Sequence, residues 1–218
     1  MKKFMSLVAA LMLCVGAQAQ IVSSSSRSLK VENAPSTSLK YVRLGVGFMN
    51  LAGSDVEDCN SKVGYDVAYG FQKPLANVNG LYWGMEFGLG SRGWSVDWGK
   101  DDAKYMLHNV RISPFTFGYK YALTDAIKLD AHLGAFASFD YTGKFKYDGE
   151  SLSLSDWDDE DDGIGLDWNR FDAGMQIGFG VWYNNFNLDF TYHRGFVKPI
   201  EDVKAYSSNF MIRLGVAF

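Results

Sequence analysis

The sequence predicts an all-β chain, an eight-stranded antiparallel up-and-down transmembrane β-barrel. Three observations predict it: eight segments alternate apolar and polar residues with period two, the connections between them are alternately short and long, and the polar face mixes glycine with equal numbers of acids and bases. Period two marks a strand with two unlike faces, and no stretch holds a 3.6-residue period long enough for a helix. The composition agrees, with 16 % aromatic residues and 23 glycines against 4 prolines in 218 residues.

At the N-terminus, Lys2-Lys3, the apolar run from Phe4 to Val15 and Ala17-Gln18-Ala19 read as a cleavable export signal over residues 1–19. The apolar run is too short for a stable spanning helix, which needs roughly 20 residues. Cys14 follows Leu13, where a lipoprotein signal would carry Gly or Ala. Residues 20–39 are serine-rich and aperiodic, a flexible periplasmic lead-in, and the barrel is expected over 40–218. Cleavage leaves Cys59 as the one cysteine, so no internal disulfide can form. It also moves the formal charge from −4 to −6, which argues against a nucleic-acid partner.

The strands follow in order. The first sets Val42, Leu44, Val46 and Phe48 against Arg43, Gly45 and Gly47, and the second sets Val63, Tyr65, Val67 and Tyr69 against Gly64, Asp66 and Gly70. In the third, Trp83, Met85, Phe87 and Leu89 oppose Gly84, Glu86, Gly88 and Arg92. The fourth changes phase between Ile112 and Phe115, which a bulge at Ser113-Pro114 would repair. The fifth opposes Leu129, Leu133 and Phe139 to Lys128, Asp130, His132 and Asp140. The sixth opposes Met175, Ile177 and Phe179 to Asp172, Gly174 and Gly178; the seventh, Leu188 and Phe190 to Asp189 and Thr191; the eighth, Ile212, Leu214 and Val216 to Arg213 and Gly215. Connections two, four and six are short, at 74–80, 123–125 and 184–185. Connections one, three, five and seven are longer, at about 50–61, 98–103, 143–167 and 195–204. Outer-membrane barrels show this asymmetry, with short periplasmic turns and long external loops.

The polar face decides which side meets lipid. Glycine in a water-facing strand weakens it without giving packing, whereas a narrow barrel interior has room for small residues beside long charged ones. The charges of that face balance: Arg43, Arg92, Arg111, Lys120, Lys128 and Arg213 against Asp66, Glu86, Asp130, Asp140, Asp172 and Asp189. A closed interior needs such pairing because an unpaired buried charge is costly. Aromatics of the apolar face gather into two girdles, Phe71, Trp83, Tyr121, Tyr183, Phe186 and Phe218 at one end and Phe48, Tyr65, Tyr141, Phe171, Tyr192 and Phe210 at the other. A soluble ligand carrier, with its apolar face inward, is the alternative architecture.

The terminal strand 209–218, closing on Phe218, resembles the strand by which the barrel-assembly machinery recognises outer-membrane barrels. The segments 108–121, 171–180 and 188–196 are similar to the small outer-membrane β-barrel domain family, the PorT-like and OmpA/OmpX-like eight-stranded barrels, over about residues 40–218. The resemblance implies an outer-membrane barrel and no particular activity.

Candidate sites are few. Between 143 and 167, nine acids face only Lys144 and Lys146. Asp158, Glu160 and Asp162 fall on the first, third and fifth places of a calcium loop, but the twelfth holds Asn169 in place of a bidentate Glu. A solvated loop that bridges lipopolysaccharide through loosely held cations is the plainer reading. Catalysis would need a nucleophile, a base and an acid in reach of one another. His132 and His193 lie on strands that are not neighbours in a meander, and His108 shares the parity of lipid-facing Val110. The expectation is therefore a non-catalytic barrel without cofactor. Its partners would be outer-membrane lipid and lipopolysaccharide, the assembly machinery and an extracellular or envelope protein. A lipid-modifying enzyme is the runner-up.

Overall fold

The computed structural model describes residues 38–56, 59–75, 79–97, 102–156, 168–201 and 203–218. The expected export signal at 1–19, nearly all of the lead-in and the acids Asp158, Glu160 and Asp162 lie outside the described residues.

The strands are β1 (Leu39–Gly53), β2 (Cys59–Pro74), β3 (Leu81–Asp97), β4 (Asp102–Ala122), β5 (Ile127–Tyr147), β6 (Glu150–Ser153), β7 (Phe171–Tyr183), β8 (Phe186–Gly195) and β9 (Ala205–Ala217). All pair antiparallel with their sequence neighbours except that β7 returns to β5, and β1 pairs with β9 from Tyr41↔Ala217 to Gly53↔Ala205. That last ladder closes an eight-stranded barrel, and closure removes the unpaired sheet edges that hydrocarbon cannot satisfy. The short β6 adds to the upper part of β5, beyond the barrel proper.

The apolar face points outward. Leu214 is 68 % exposed and Ile177 58 %, and the same holds for Val46, Phe115 and Leu133. A continuous apolar belt of this kind on a soluble protein would be an aggregation surface; around a closed barrel it is the surface that meets lipid. The soluble-carrier architecture, which needs the opposite facing, is overturned by this orientation.

Local chemistry explains the elements. The register slips between Ile112 and Phe115, where Ser113 turns inward and Pro114 needs no ladder donor, so both halves of β4 keep their apolar residues outside. Asn184 takes φ 53° in the β7–β8 turn, a left-handed conformation that Asn tolerates.

One sequence expectation needs correction. The segment 143–167 is not a loop from its start: β5 runs on to Tyr147, and Asp148 and Gly149, at φ 47° and 81°, make a two-residue turn into β6. Two successive residues with positive φ are what a hairpin matched to the strand twist requires, and Asp-Gly suits it. At about 3.3 Å per residue and a tilt near 40°, the 21-residue β4 and β5 climb roughly 50 Å, past the ~30 Å of hydrocarbon. The barrel wall therefore continues outside the membrane on the β3–β6 side.

Candidate functional site: the lumen and the outer rim

The inward residues form layers. In the middle layer Arg213, fully buried, donates to Glu86 Oε1 (2.7 Å), Asp189 Oδ1 (2.8 Å), Thr191 Oγ1 (3.0 Å) and Asp66 Oδ2 (3.4 Å). Arg43 reaches Glu86 Oε2 at 3.1 Å and Asn187 Oδ1 at 2.9 Å, and Arg111 reaches Asp66 Oδ1 at 2.7 Å. Three guanidiniums thus face three carboxylates, and the planar fork of Arg can bridge two acids at once. The glycines opposite are sized for it: a Cβ at Gly45 or Gly215 would collide with the Arg213 or Arg43 stem.

Above this lies Arg92, bonded through Nε to Asp140 Oδ2 at 2.9 Å and through Nη1 to Asp172 Oδ2 at 3.1 Å, with Trp168 Nε1 donating to Asp140 Oδ2 at 2.9 Å. Below lies Asp130, which accepts from Tyr82 Oη (2.8 Å) and Trp182 Nε1 (3.0 Å). Lys120 sits over the Trp182 ring at 4.2 Å and bonds Gln72, while Lys128 is half-buried at the same end. The twelve charges singled out in the sequence do not form six isolated pairs. Ten are buried and two lysines stand at the lower mouth, because the lumen groups side chains by height rather than by strand.

The register also brings together residues that the strand order separates. His132 on β5 lies 3.4 Å from Thr191 Oγ1 and 3.6 Å from Asp189 Oδ2, both on β8. The premise that non-neighbouring strands keep their residues apart fails because β7 between them carries Gly178, which pairs with both His132 and Thr191 and leaves no side chain to part them. The cluster is fully enclosed, so a membrane lipid has no approach to it. His193 is likewise buried, 5.3 Å from the Phe136 ring, with Nε2 facing a cavity of about 20 Å³ beside Asp172 and Asn209, room for roughly one water. His108 faces outward at the upper girdle, 3.0 Å from the Tyr65 hydroxyl.

Both mouths are plugged by residues the sequence reading left unassigned. At the outer mouth Trp168, Trp94, Tyr105 and Phe145 stack in one column with centroid spacings of 5.3, 4.8 and 4.8 Å, packed with Leu51, Leu107 and Leu154. At the periplasmic mouth Tyr41 meets Trp182 edge-on at 6.3 Å. A signal was present: the inward phase Gly84, Glu86, Gly88, Gly90, Arg92 runs on to Trp94, turning from polar to aromatic as the strand leaves the membrane.

Outside, the β1–β2 connection is tied down at Asp55, whose carboxylate accepts from Ser54 Oγ (2.6 Å) and the Lys204 amide (3.0 Å). Those two hydrogen bonds, the Ser54 one first, hold its carboxyl below the usual carboxylate range. Among the described residues no three His, Cys, Asp or Glu side chains group as a metal site. Phe218 is exposed, with its amide donating to Lys40 O at 3.0 Å beside the β1–β9 seam.

A family model described as outer membrane protein beta-barrel domain matches residues 18–201. The chain belongs to that family. Members of the outer membrane protein beta-barrel domain family reside in the outer membrane, which agrees with the lipid-facing wall described above. Among solved structures, the chain is similar to Ail, the attachment invasion locus protein of Yersinia pestis, at 16 % identity over 83 % of this chain and 99 % of that one, with TM-score 0.42. It is similar to the outer membrane enzyme PagL at 15 % identity over 81 % and 98 %, TM-score 0.50, and to Neisserial surface protein A at 15 % over 82 % and 97 %, TM-score 0.45. At such identities the likeness speaks for the fold alone. A search of curated protein sequences returned no match.

Proposed function

We propose that this outer-membrane barrel is a non-catalytic anchor whose external rim serves adhesion or the assembly of the envelope. The observation that carries the reading is the filled and doubly plugged lumen: among the described residues a core of three arginines and three acids under an aromatic column leaves no solute path, while the wall of β3–β6 projects beyond the membrane. Its partners in this reading are outer-membrane lipid and lipopolysaccharide along the wall, an extracellular or envelope protein at the rim, and the barrel-assembly machinery at Phe218 during insertion. Replacing 148–167 by a short Gly-Ser turn tests it. The variant is expected to insert and to shift on unboiled gels like the parent, yet to reproduce the envelope or adhesion defect of a deletion strain. Stepwise ion conductance of the parent in planar bilayers, or full function of the shortened variant, would overturn the reading.

One observation favours a lipid-modifying enzyme as the second reading: of the three histidines, His108 alone stands on the lipid-facing wall, paired with Tyr65. The mass spectrum of lipid A from a His108→Ala strain separates the two, since any product lost with the histidine would speak for catalysis.

A further inference from the structure

The upper outward wall carries a row of residues that neither the anchor nor the lumen explains. Across β2, β3, β4, β5 and β6 the register aligns Asn60, Ser95, Lys104, Lys146 and Ser151, and one step lower it aligns Gly93, Met106, Lys144 and Ser153. Lys104 and Lys146 are therefore direct cross-strand neighbours, with Cβ atoms about 5 Å apart, an arrangement that like charges make unfavourable. The acid paired with Lys104 is Asp102, at 3.9 Å and with both side chains about half exposed, which contributes little. Asp148 and Glu150 close the hairpin beyond the row.

The height of the row says what could neutralise it. Directly beneath run the outward rings of Tyr65, His108 and Tyr141, with centroids 5.7 and 6.5 Å apart, in the girdle position that marks the hydrocarbon boundary. Lys144 and Lys104 stand two and four residues above that ring line, roughly 5–10 Å along the membrane normal, which is the depth of the head-group layer. On the opposite wall the matching outward positions hold Asn50, Ala52, Ser208 and Tyr206, with Arg194 lying against the Tyr206 ring at 5.4 Å. That wall thus carries Arg194 where this one gathers Lys104, Lys144 and Lys146.

We infer that Lys104, Lys144 and Lys146 form a clamp for the phosphate groups of a phosphorylated glycolipid of the outer leaflet. Ammonium groups on flexible stems suit phosphates as point charges, and the sugar would lie over Gly93, Ser95 and Ser151 with its acyl chains running down past Met106 and the ring line. The inference rests on the outer-membrane orientation of the anchor reading and adds to it a defined lipid site.

The test uses the full chain folded in neutral detergent, titrated with bisphosphorylated lipid A, with its dephosphorylated form and with inorganic phosphate, read by native mass spectrometry. Each lysine at a membrane surface is worth roughly a fivefold change in affinity, so K104Q/K146Q is expected to lose about twenty-five-fold for the bisphosphorylated lipid, K104R/K146R to bind as the parent does, and K198Q to leave affinity unchanged. Equal binding of the dephosphorylated lipid, unchanged affinity of K104Q/K146Q, or inorganic phosphate competing at concentrations similar to the lipid would each overturn the clamp, the last by making the ligand a free anion. The heat-dependent gel shift reports the barrel separately. A folded barrel indifferent to lipid phosphates sinks the clamp alone, whereas a barrel that conducts ions sinks the anchor reading.

Discussion

Replacing Arg213 by Met probes the middle of the lumen. The methionine keeps most of the volume and removes one of three positive charges, leaving Arg43 and Arg111 to serve Asp66, Glu86 and Asp189. Glu86 keeps two guanidiniums, Arg43 at 3.1 Å and Arg111 at 3.4 Å, whereas Asp189 keeps one, Arg43 at 3.6 Å, beside the Thr191 hydroxyl and His132, so the uncompensated charge falls chiefly there. Breaking a buried pair by deleting one partner costs about 3–5 kcal/mol. That is a large part of the 5–15 kcal/mol by which domains are commonly stable, roughly. The double variant R213M/D189N restores equal numbers of both signs, two and two, and is expected to lie about 1–3 kcal/mol above the sum of the single variants, the coupling usual for groups in contact. Reversible urea unfolding in phospholipid vesicles, followed by tryptophan fluorescence and by unboiled gel mobility, measures all three. An R213M variant within about 1 kcal/mol of the parent, or a double variant that is merely additive, would refute the claim that the layer is held by matched charge.

Two further predictions concern the parts of the barrel outside the membrane. Truncating Trp94 to Ala removes the centre of the outer aromatic column and is expected to cost about 3–5 kcal/mol while letting water reach Arg92, so hydrogen exchange of the upper β3 and β4 amides should accelerate with the periplasmic half unchanged; uniform acceleration would show that the plug is not a separate layer. Asp55 has its carboxyl pKa depressed in the fold, so its tie to Lys204 is fully present above the ordinary carboxylate value and is lost as pH falls through the lower folded one. The Lys204 amide resonance should titrate with that lowered midpoint, and an ordinary midpoint would mean that the carboxylate is not held.

Particular residues show why some features were readable in advance. Val46 beside Gly45 and Gly47, or Leu214 between Arg213 and Gly215, declare their faces because successive side chains of a strand point to opposite sides, and a slip of one residue would reverse every assignment. The phase change at Ser113-Pro114 could be placed for the same reason. The Asp148-Gly149 hairpin was also legible, but nine acids in 143–167 drew that segment toward a loop. His132 with Thr191 and Asp189 was not read in advance, since their meeting over Gly178 depends on the register of β5, β7 and β8.

Taken alone, the chain's residues determined that strands would form, how many would cross, which side would face lipid and where the short turns would lie, because period and turn chemistry are local properties of neighbouring residues. Tertiary structure alone decided the layering of the charges, the stacking within the aromatic plugs and the lysine row on the outer wall. These depend on strand stagger and barrel closure, which set the height of each residue against partners dozens of positions away in the chain.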